Sequence, residues 1–303
     1  MFTLLAVMSA LILDAWIGEP RRLHPLVGFG KLAQVIEKKF YGDTAIRGGI
    51  AVALLVIPFT LLAVELTRLP GGIVFEIILL YLAIGWKSLG DHACAVRVAL
   101  QNNNLSLARH CVGMMVSRDT TTLSARGISK ATVESVLENG NDAVFGAIFW
   151  FVIAGAPGAL IYRLANTLDA TWGYRNARYN RFGWAAARLD DLLNLVPARL
   201  TALGYGLAGQ LRPAIRCWRL QSCAWKSPNA GPVMAAGAGS LGLVLGGSAV
   251  YHGMPEIRPV LGQGSEPRAK DIDEALRLIR RTLFIWLLVL TTGVCFVESI
   301  RTL

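Results

Sequence analysis

The chain has 303 residues, of which 54% are hydrophobic and only 17% charged, with a mean hydropathy of +0.48. Soluble domains carry about a quarter charged residues, so this composition argues against a water-soluble domain and points to the membrane. The net charge of +10 is read as topological, because Lys and Arg gather in cytoplasmic loops. No basic-aromatic motif accompanies it, so nucleic acid is not expected as a partner.

In chain order, Phe2–Ile17 is the first apolar stretch; it has no basic start and no small-residue cleavage site after it. It is read as a retained helix rather than a signal peptide. Three further stretches, 49–66, 72–89 and 282–297, approach the roughly 20 apolar residues that a helical span requires. Two more, 143–162 and 192–209, are ambiguous. The segment between the first two spans holds Arg21, Arg22, Lys31, Lys38, Lys39 and Arg47, which places it inside. Only Arg68 separates the second span from the third, as suits a short external turn. The third span returns the chain inside, where Arg97, Arg109, Arg118, Arg126 and Lys130 follow; Arg277, Arg280 and Arg281 precede the last span. Both chain ends then face out.

If 143–162 and 192–209 both crossed, Arg163, Arg175, Arg178, Arg181, Arg188 and Arg199 would lie outside, against the same rule. The favoured alternative makes 143–162 a re-entrant or surface-lying helical hairpin, broken at Gly155, Pro157 and Gly158. Non-helical backbone at membrane depth is tolerated only where protein or a cavity covers it. The expected fold is therefore all-α: one polytopic membrane-embedded domain over 1–303, with about four firm transmembrane helices, one or two re-entrant or interfacial segments and helical loops. Its cytoplasmic segments are approximately 18–47, 90–142, 163–191 and 210–281. Residues 228–264 are Gly-rich and read as a loop, whereas Asp271, Asp273 and Glu274 suit the first turn of a helix.

The five cysteines show no metal or disulfide spacing, and the four histidines are scattered. Gly237, Gly239 and Gly242 fit the pattern GxGxxG, but no strand or acid supports a dinucleotide site, so tight helix packing is the better reading. Four polar clusters remain. LDAWIGEPRRLHP ends an apolar helix in Asp14, with His24 near its close. In 116–142, Glu134 and Glu138 fall four apart on one helix face with Asn139 and Asp142 beyond. Oxygen ligands so spaced suit Mg²⁺, and Arg118 and Asp119 suit a phosphate clamp and a further acid; an ordinary solvated face remains an open alternative. The third cluster, from Asn166 through LDATWGYRNARYNRFGWAAARLDD, is dense in arginines and aromatics. The fourth, KSPNAGP at 226–232, is a turn of the type that exposes backbone donors.

On these clusters the chain resembles the CobD/CbiB family of cobalamin biosynthesis proteins, the adenosylcobinamide-phosphate synthases. The likeness runs nearly end to end: LDAWIGEPRRLHP, SRDT, ESVLENGNDAV, the Pro-Gly hairpin, NTLDATWGYRN, RFGWAAARLDDLLNLVPARLTA, SPNAG and the closing DI-x-x-ALRL. Glu19 and Ser117 stand where Asp and Gly are usual, and Gly140-Asn141 replaces a more usual Thr-Ser. The resemblance implies a multi-pass enzyme of the bacterial inner membrane with its active site facing the cytoplasm. It would join adenosylcobyric acid, a corrinoid, to (R)-1-aminopropan-2-ol or its O-phosphate, using ATP and Mg²⁺. It further implies catalytic acids among Glu134, Glu138, Asp142, Asp169, Asp190 and Asp191, with Glu134, Glu138 and Asp142 as metal ligands. Substrate and phosphate contacts are expected from Asp14, His24, Arg118, Asp119, Asn139, Asn166, Tyr174, Arg175, Asn176, Arg178, Tyr179, Arg188, Ser227 and Asn229. Lipid, other late corrin-pathway enzymes and a second copy of the chain are the expected partners. A non-catalytic membrane sensor or a transporter is the competing reading.

Overall fold

The computed structural model describes residues 2–20, 24–174, 176–251 and 253–301. The chain opens with α1 (Phe2–Ile17), α2 (Pro25–Phe40), α3 (Ala45–Arg68), α4 (Ile73–Ala83) and α5 (Trp86–Gln101). Next come α6 (Leu105–Gly113), α7 (Ala125–Gly140), a π-helical turn at Asn141–Phe145, α8 (Gly146–Trp172), α9 (Tyr179–Phe182) and α10 (Trp184–Ala208). The remainder is α11 (Leu211–Gln221), α12 (Ala230–Leu241), strands β1 (Val244–Tyr251) and β2 (Met254–Gly262), and the long α13 (Ala269–Arg301). The protein is 78% helical.

Among the described residues, four helical stretches are long and apolar enough to cross a membrane: Ala45–Arg68, Ile73–Gln101, Ala125–Trp172 and Ala269–Phe296. The chain is thus a polytopic helical membrane protein. The outer face of α3 carries Ile46, Ile50, Leu54, Ile57 and Leu61, all exposed. An apolar stripe that long, left uncovered by protein, is a lipid-facing surface. The set of four differs from the expected one in a single member. At 16 residues, α1 extends only about 24 Å, short of the roughly 30 Å hydrocarbon core. It stops at Gly18, whose positive φ of 71° ends the helix, with Pro20 beyond.

The stretch taken as a hairpin is one. Within α8, Ala154 (φ −136°, ψ 20°) and Gly155 (φ 63°, ψ −161°) leave the helical region. A Cβ on Gly146 would collide with the Tyr162 hydroxyl, and one on Gly158 with the Trp150 carbonyl. In a continuous helix residues 16 apart would be about 24 Å apart, so the halves 146–153 and 156–172 fold back on each other. Glu76 of α4 completes the reversal: its Oε2 accepts the Ala156 N–H at 3.2 Å. A carboxylate there satisfies an orphan donor and complements the positive end of the second half-helix.

The chain divides into two compact units, 1–86 with 142–194, and 87–141 with 195–303. The first packs α2, α3, the second half of α8 and α9 around Phe29, Leu55, Leu168, Trp172 and Phe182. In the second, α12 is buried along nearly its whole length. A Cβ on Gly237 would stand 2.8 Å from the Leu137 side chain, and one on Gly239 2.7 Å from the Pro213 carbonyl oxygen, so these glycines serve close packing, as expected. Gly242, with φ 67°, closes α12 as its left-handed cap.

Residues 228–264 are not the loop anticipated. They form α12 and the antiparallel β1–β2 hairpin, whose register shifts at Gly246/Gly247. Both glycines have positive φ, a conformation that glycine brings to some bulges, and glycine content alone hid a strand pair.

Candidate active site

In the first unit, Tyr162 and Asn166 lie one turn apart on α8, as do Asp190 and Asn194 on α10. The Tyr162 hydroxyl donates to Asn194 Oδ1 at 2.9 Å, and the Asn166 amide donates to Asp190 Oδ1 at 3.3 Å. Asn194 in turn donates to Asp190 Oδ1 at 3.2 Å, and the Trp150 indole fastens the same stretch of α10 through the Leu193 carbonyl at 2.8 Å. The i,i+4 repeat of α10 creates this ladder: LDDLLN places Asp190 and Asn194 on one face. Asp142 and Asp190 both lie close enough to Tyr162 for their charges to act on it. Burial pushes the Asp190 carboxyl up to about 6; the two asparagine amides oppose the rise and the Asp191 charge adds to it. A carboxylate titrating near neutrality beside amide donors is suited to accept a proton. Asp191 itself pairs with Arg188 at 3.2 Å.

A second cluster of this unit centres on Glu37 of α2, 6% exposed. It accepts the Trp172 indole N–H at 3.1 Å, Arg178 Nε and Nη2 at 2.9 and 2.7 Å, and the Tyr179 hydroxyl at 3.1 Å. Arg178 also stacks over Tyr41 at 4.3 Å. The Glu37 hydrogen bonds hold the guanidinium pKa above its ordinary value. Asn176 caps the following turn by accepting the Tyr179 N–H at 2.9 Å, and Tyr174 is exposed. Asp14 is fully buried at the end of α1, Asp169 is half-buried, and His24 caps α2 through its Nδ1. Arg21, Arg22 and Arg175 lie outside the described residues.

In the second unit, Glu134 of α7 is a structural anion. Arg258 of β2 reaches both its oxygens, at 3.0 and 3.2 Å, the Gly246 N–H donates at 2.7 Å, and Arg118 closes on Oε2. All three charged side chains are at least nine-tenths buried. Asp119 accepts both the hydroxyl and the backbone N–H of Thr121, which lowers its pKa. Asn139 donates back to Ser135, and Glu138, a turn beyond Glu134, is half-buried. Ser227 caps the start of α12 by accepting the Ala230 N–H at 3.1 Å, while Asn229 pairs with Arg199.

Of the expected metal set, Glu134 and Glu138 belong to the second unit and Asp142 to the first. Among the described residues no three of His, Cys, Asp or Glu are grouped closely enough to hold a metal ion. Two guanidinium charges against Glu134 would also repel a dication. Glu37, Asn194 and Arg258 escaped sequence reading: Glu37 stands beside Lys38 and Lys39 in a segment read only for its basic charge, and Arg258 fell in the supposed loop. Asn194 had a legible signal, its spacing of four from Asp190.

A protein-family profile described as CobD/Cbib protein matches residues 7–279. The chain belongs to the CobD/CbiB family. Among its relatives, the cobalamin biosynthesis protein CobD of Stutzerimonas stutzeri is 57% identical over 298 residues, 97% of this chain and 98% of the relative. That of Chromobacterium violaceum is 56% identical over 287 residues, 91% and 92% of the two chains. That of Mycobacterium tuberculosis (strain H37Rv) is 39% identical over 282 residues, 90% of each. No solved structure matches the chain significantly. The CobD/CbiB match spans both compact units, so the Asp190 ladder and the Glu134 network both fall inside it.

Proposed function

We propose that this chain is the amide-forming enzyme of cobalamin biosynthesis, joining adenosylcobyric acid to (R)-1-aminopropan-2-ol or its O-phosphate at the expense of ATP. Membership of the CobD/CbiB family and the names of its relatives support the pathway. The observation that carries the chemistry is Asp190: a carboxylate raised to about 6, held by Asn166 and Asn194.

A free carboxylate is a poor acyl donor. Transfer of the ATP γ-phosphoryl group to the corrinoid carboxylate gives an acyl phosphate and ADP. The amine then attacks the acyl carbon, the C–N bond forms, inorganic phosphate leaves, and the amine nitrogen gives up a proton. Asp190 is the base we assign to that proton. Asn166 and Asn194 hold its carboxylate in place, and Tyr162 orients Asn194. The described residues offer no all-protein metal cage, but magnesium that arrives on nucleotide phosphates needs only one or two carboxylates. Asp142, whose charge acts on Tyr162 as that of Asp190 does, is the ligand we assign to it; the ion would supply charge neutralisation on the phosphates. The enzyme works in the bacterial inner membrane with this ladder open to the cytoplasm, where ATP is found.

The test uses protein purified in detergent, adenosylcobyric acid, either amine and Mg-ATP. The expected result is adenosylcobinamide or its phosphate, with one ADP and one phosphate per product. Absence of product with both amines overturns the reading.

A further inference from the structure

In the first unit, a cavity of about 310 Å³ lies where α1, α3 and α4 meet the fold-back of α8, lined by Thr3, Thr67, Glu76, Val152 and Gly155 among others. Its polar groups are acceptors short of donors. Glu76 Oε2 accepts the Ala156 N–H at 3.2 Å, but Oε1 takes no hydrogen bond among the described residues; a Cβ on Gly155 would lie 3.1 Å from it. Nor does Glu76 form an ion pair among them: Arg68, at the end of α3, is taken by Glu65 at 3.0 Å. Glu76 belongs to a stretch long and apolar enough to cross a membrane, where a carboxylate without a cation is costly. The break in α8 adds two carbonyls. The helical donor for Val152 C=O is the Ala156 N–H, which Glu76 takes, and that for Ile153 C=O would be residue 157, a proline without an N–H. These oxygens form the negative end of the half-helix 146–153. Thr67 Oγ1 donates to the Val64 carbonyl at 3.0 Å and keeps its lone pairs.

We propose that this cavity binds a small monovalent cation, with Glu76 Oε1 supplying the charge and the Thr67 hydroxyl and Val152 carbonyl supplying neutral oxygens. One carboxylate balances one positive charge, and a broken helix that turns its orphan carbonyls and a carboxylate into one space suits an alkali ion or a primary ammonium. The cation bridges α3, α4 and the turn of α8. Its binding therefore stabilises the hairpin that carries Tyr162, whatever reaction the enzyme performs.

The test measures the melting temperature of the detergent-purified protein in sodium, potassium or methylammonium chloride, with N-methylglucamine chloride holding ionic strength constant, and retention of radiolabelled sodium by the same protein. A cation that binds only the folded state raises the melting temperature with its concentration. Wild type should show that rise. Glu76→Gln keeps an oxygen for the Ala156 N–H but removes the charge, and should weaken the cation about tenfold or more. Thr67→Val should weaken it severalfold, and Glu65→Gln, at an exposed position outside the cavity, should match wild type. Stabilisation by sodium or potassium names an alkali ion as the source. Stabilisation by methylammonium alone, lost in Glu76→Gln, leaves the site standing with an organic ammonium as its source. A wild-type melting temperature that is the same in every salt, with no sodium retained, overturns the proposal, as does a cation response that Glu76→Gln preserves. Should Glu76→Gln lose its melting transition, Thr67→Val decides in the same assays, and unchanged affinity there overturns it. Binding is read without turnover, so a failure to form amide sinks the enzymatic reading alone.

Discussion

Asp190 makes the most specific claim at the scale of single residues. Folding raises its pKa from 3.8 to about 6, so the folded chain holds an extra proton between those values. Stability from this group is therefore greatest below 3.8, falls as pH rises through about 6, and stays level above it. Removing the charge should relieve that cost. Asp190→Asn is expected to raise the melting temperature in detergent at pH 7, by at most about 3 kcal/mol of stability, while abolishing amide formation. Wild-type turnover should rise on an acid limb with its midpoint at about 6. A destabilised, active Asp190→Asn variant would remove the residue from the catalytic role. Glu134 behaves oppositely. Glu134→Ala strands the buried guanidiniums of Arg118 and Arg258 and should cost about 3–5 kcal/mol, measured by thermal or denaturant unfolding. A variant as stable as the wild type would contradict the assigned structural role.

Among the elements, the α8 hairpin depends on three residues that act at different points. Gly155 adopts a backbone conformation open only to glycine, Gly146 leaves room for Tyr162, and Glu76 caps the second half-helix. Gly155→Ala should cost about 1–3 kcal/mol in strain, and Glu76→Ala about 1 kcal/mol for the lost cap. Gly146→Val should be the most damaging of the three, because it forces Tyr162, and with it Asn194, out of the Asp190 ladder. Activity of Gly146→Val should thus fall further than its melting temperature alone explains. The hairpin was legible beforehand because Gly and Pro act locally on the backbone. The β1–β2 pair was not: its strands run VLGGSAVY and MPEIRPVLG, where glycines and prolines mask the period-two pattern, and pairing with each other supplies what propensity lacks.

Across the whole molecule, a membrane-inserted α8 that folds back on itself would keep 143–162 from carrying the chain to the far side, and residues 163–191 are then expected on the side of 18–47, where the arginines of both segments obey one rule. A single cysteine at exposed Asn180 should resist a membrane-impermeant maleimide in intact cells and react after lysis. One at exposed Pro70, in the turn between α3 and α4, should react in intact cells. The reverse pattern would refute the orientation.

The sequence by itself determined the membrane class, three of the four span-forming stretches, the break at Gly155 and the packing role of Gly237 and Gly239. These follow from composition and from residues whose backbone preferences act within a few positions. It also marked Asp190 and Asn166 as polar residues worth attention. Only the tertiary structure decided what each charge does. Glu37 meets Arg178 across 141 positions, and Glu134 meets Arg258 across 124. An acid's role depends on what lies within about 4 Å of it, and no local pattern encodes a partner so distant. Two acids that looked alike on paper thus separate: Glu134, enclosed by guanidiniums, locks α7 to the β-hairpin, and Asp190, held by two neutral amides, is the one we propose to exchange a proton.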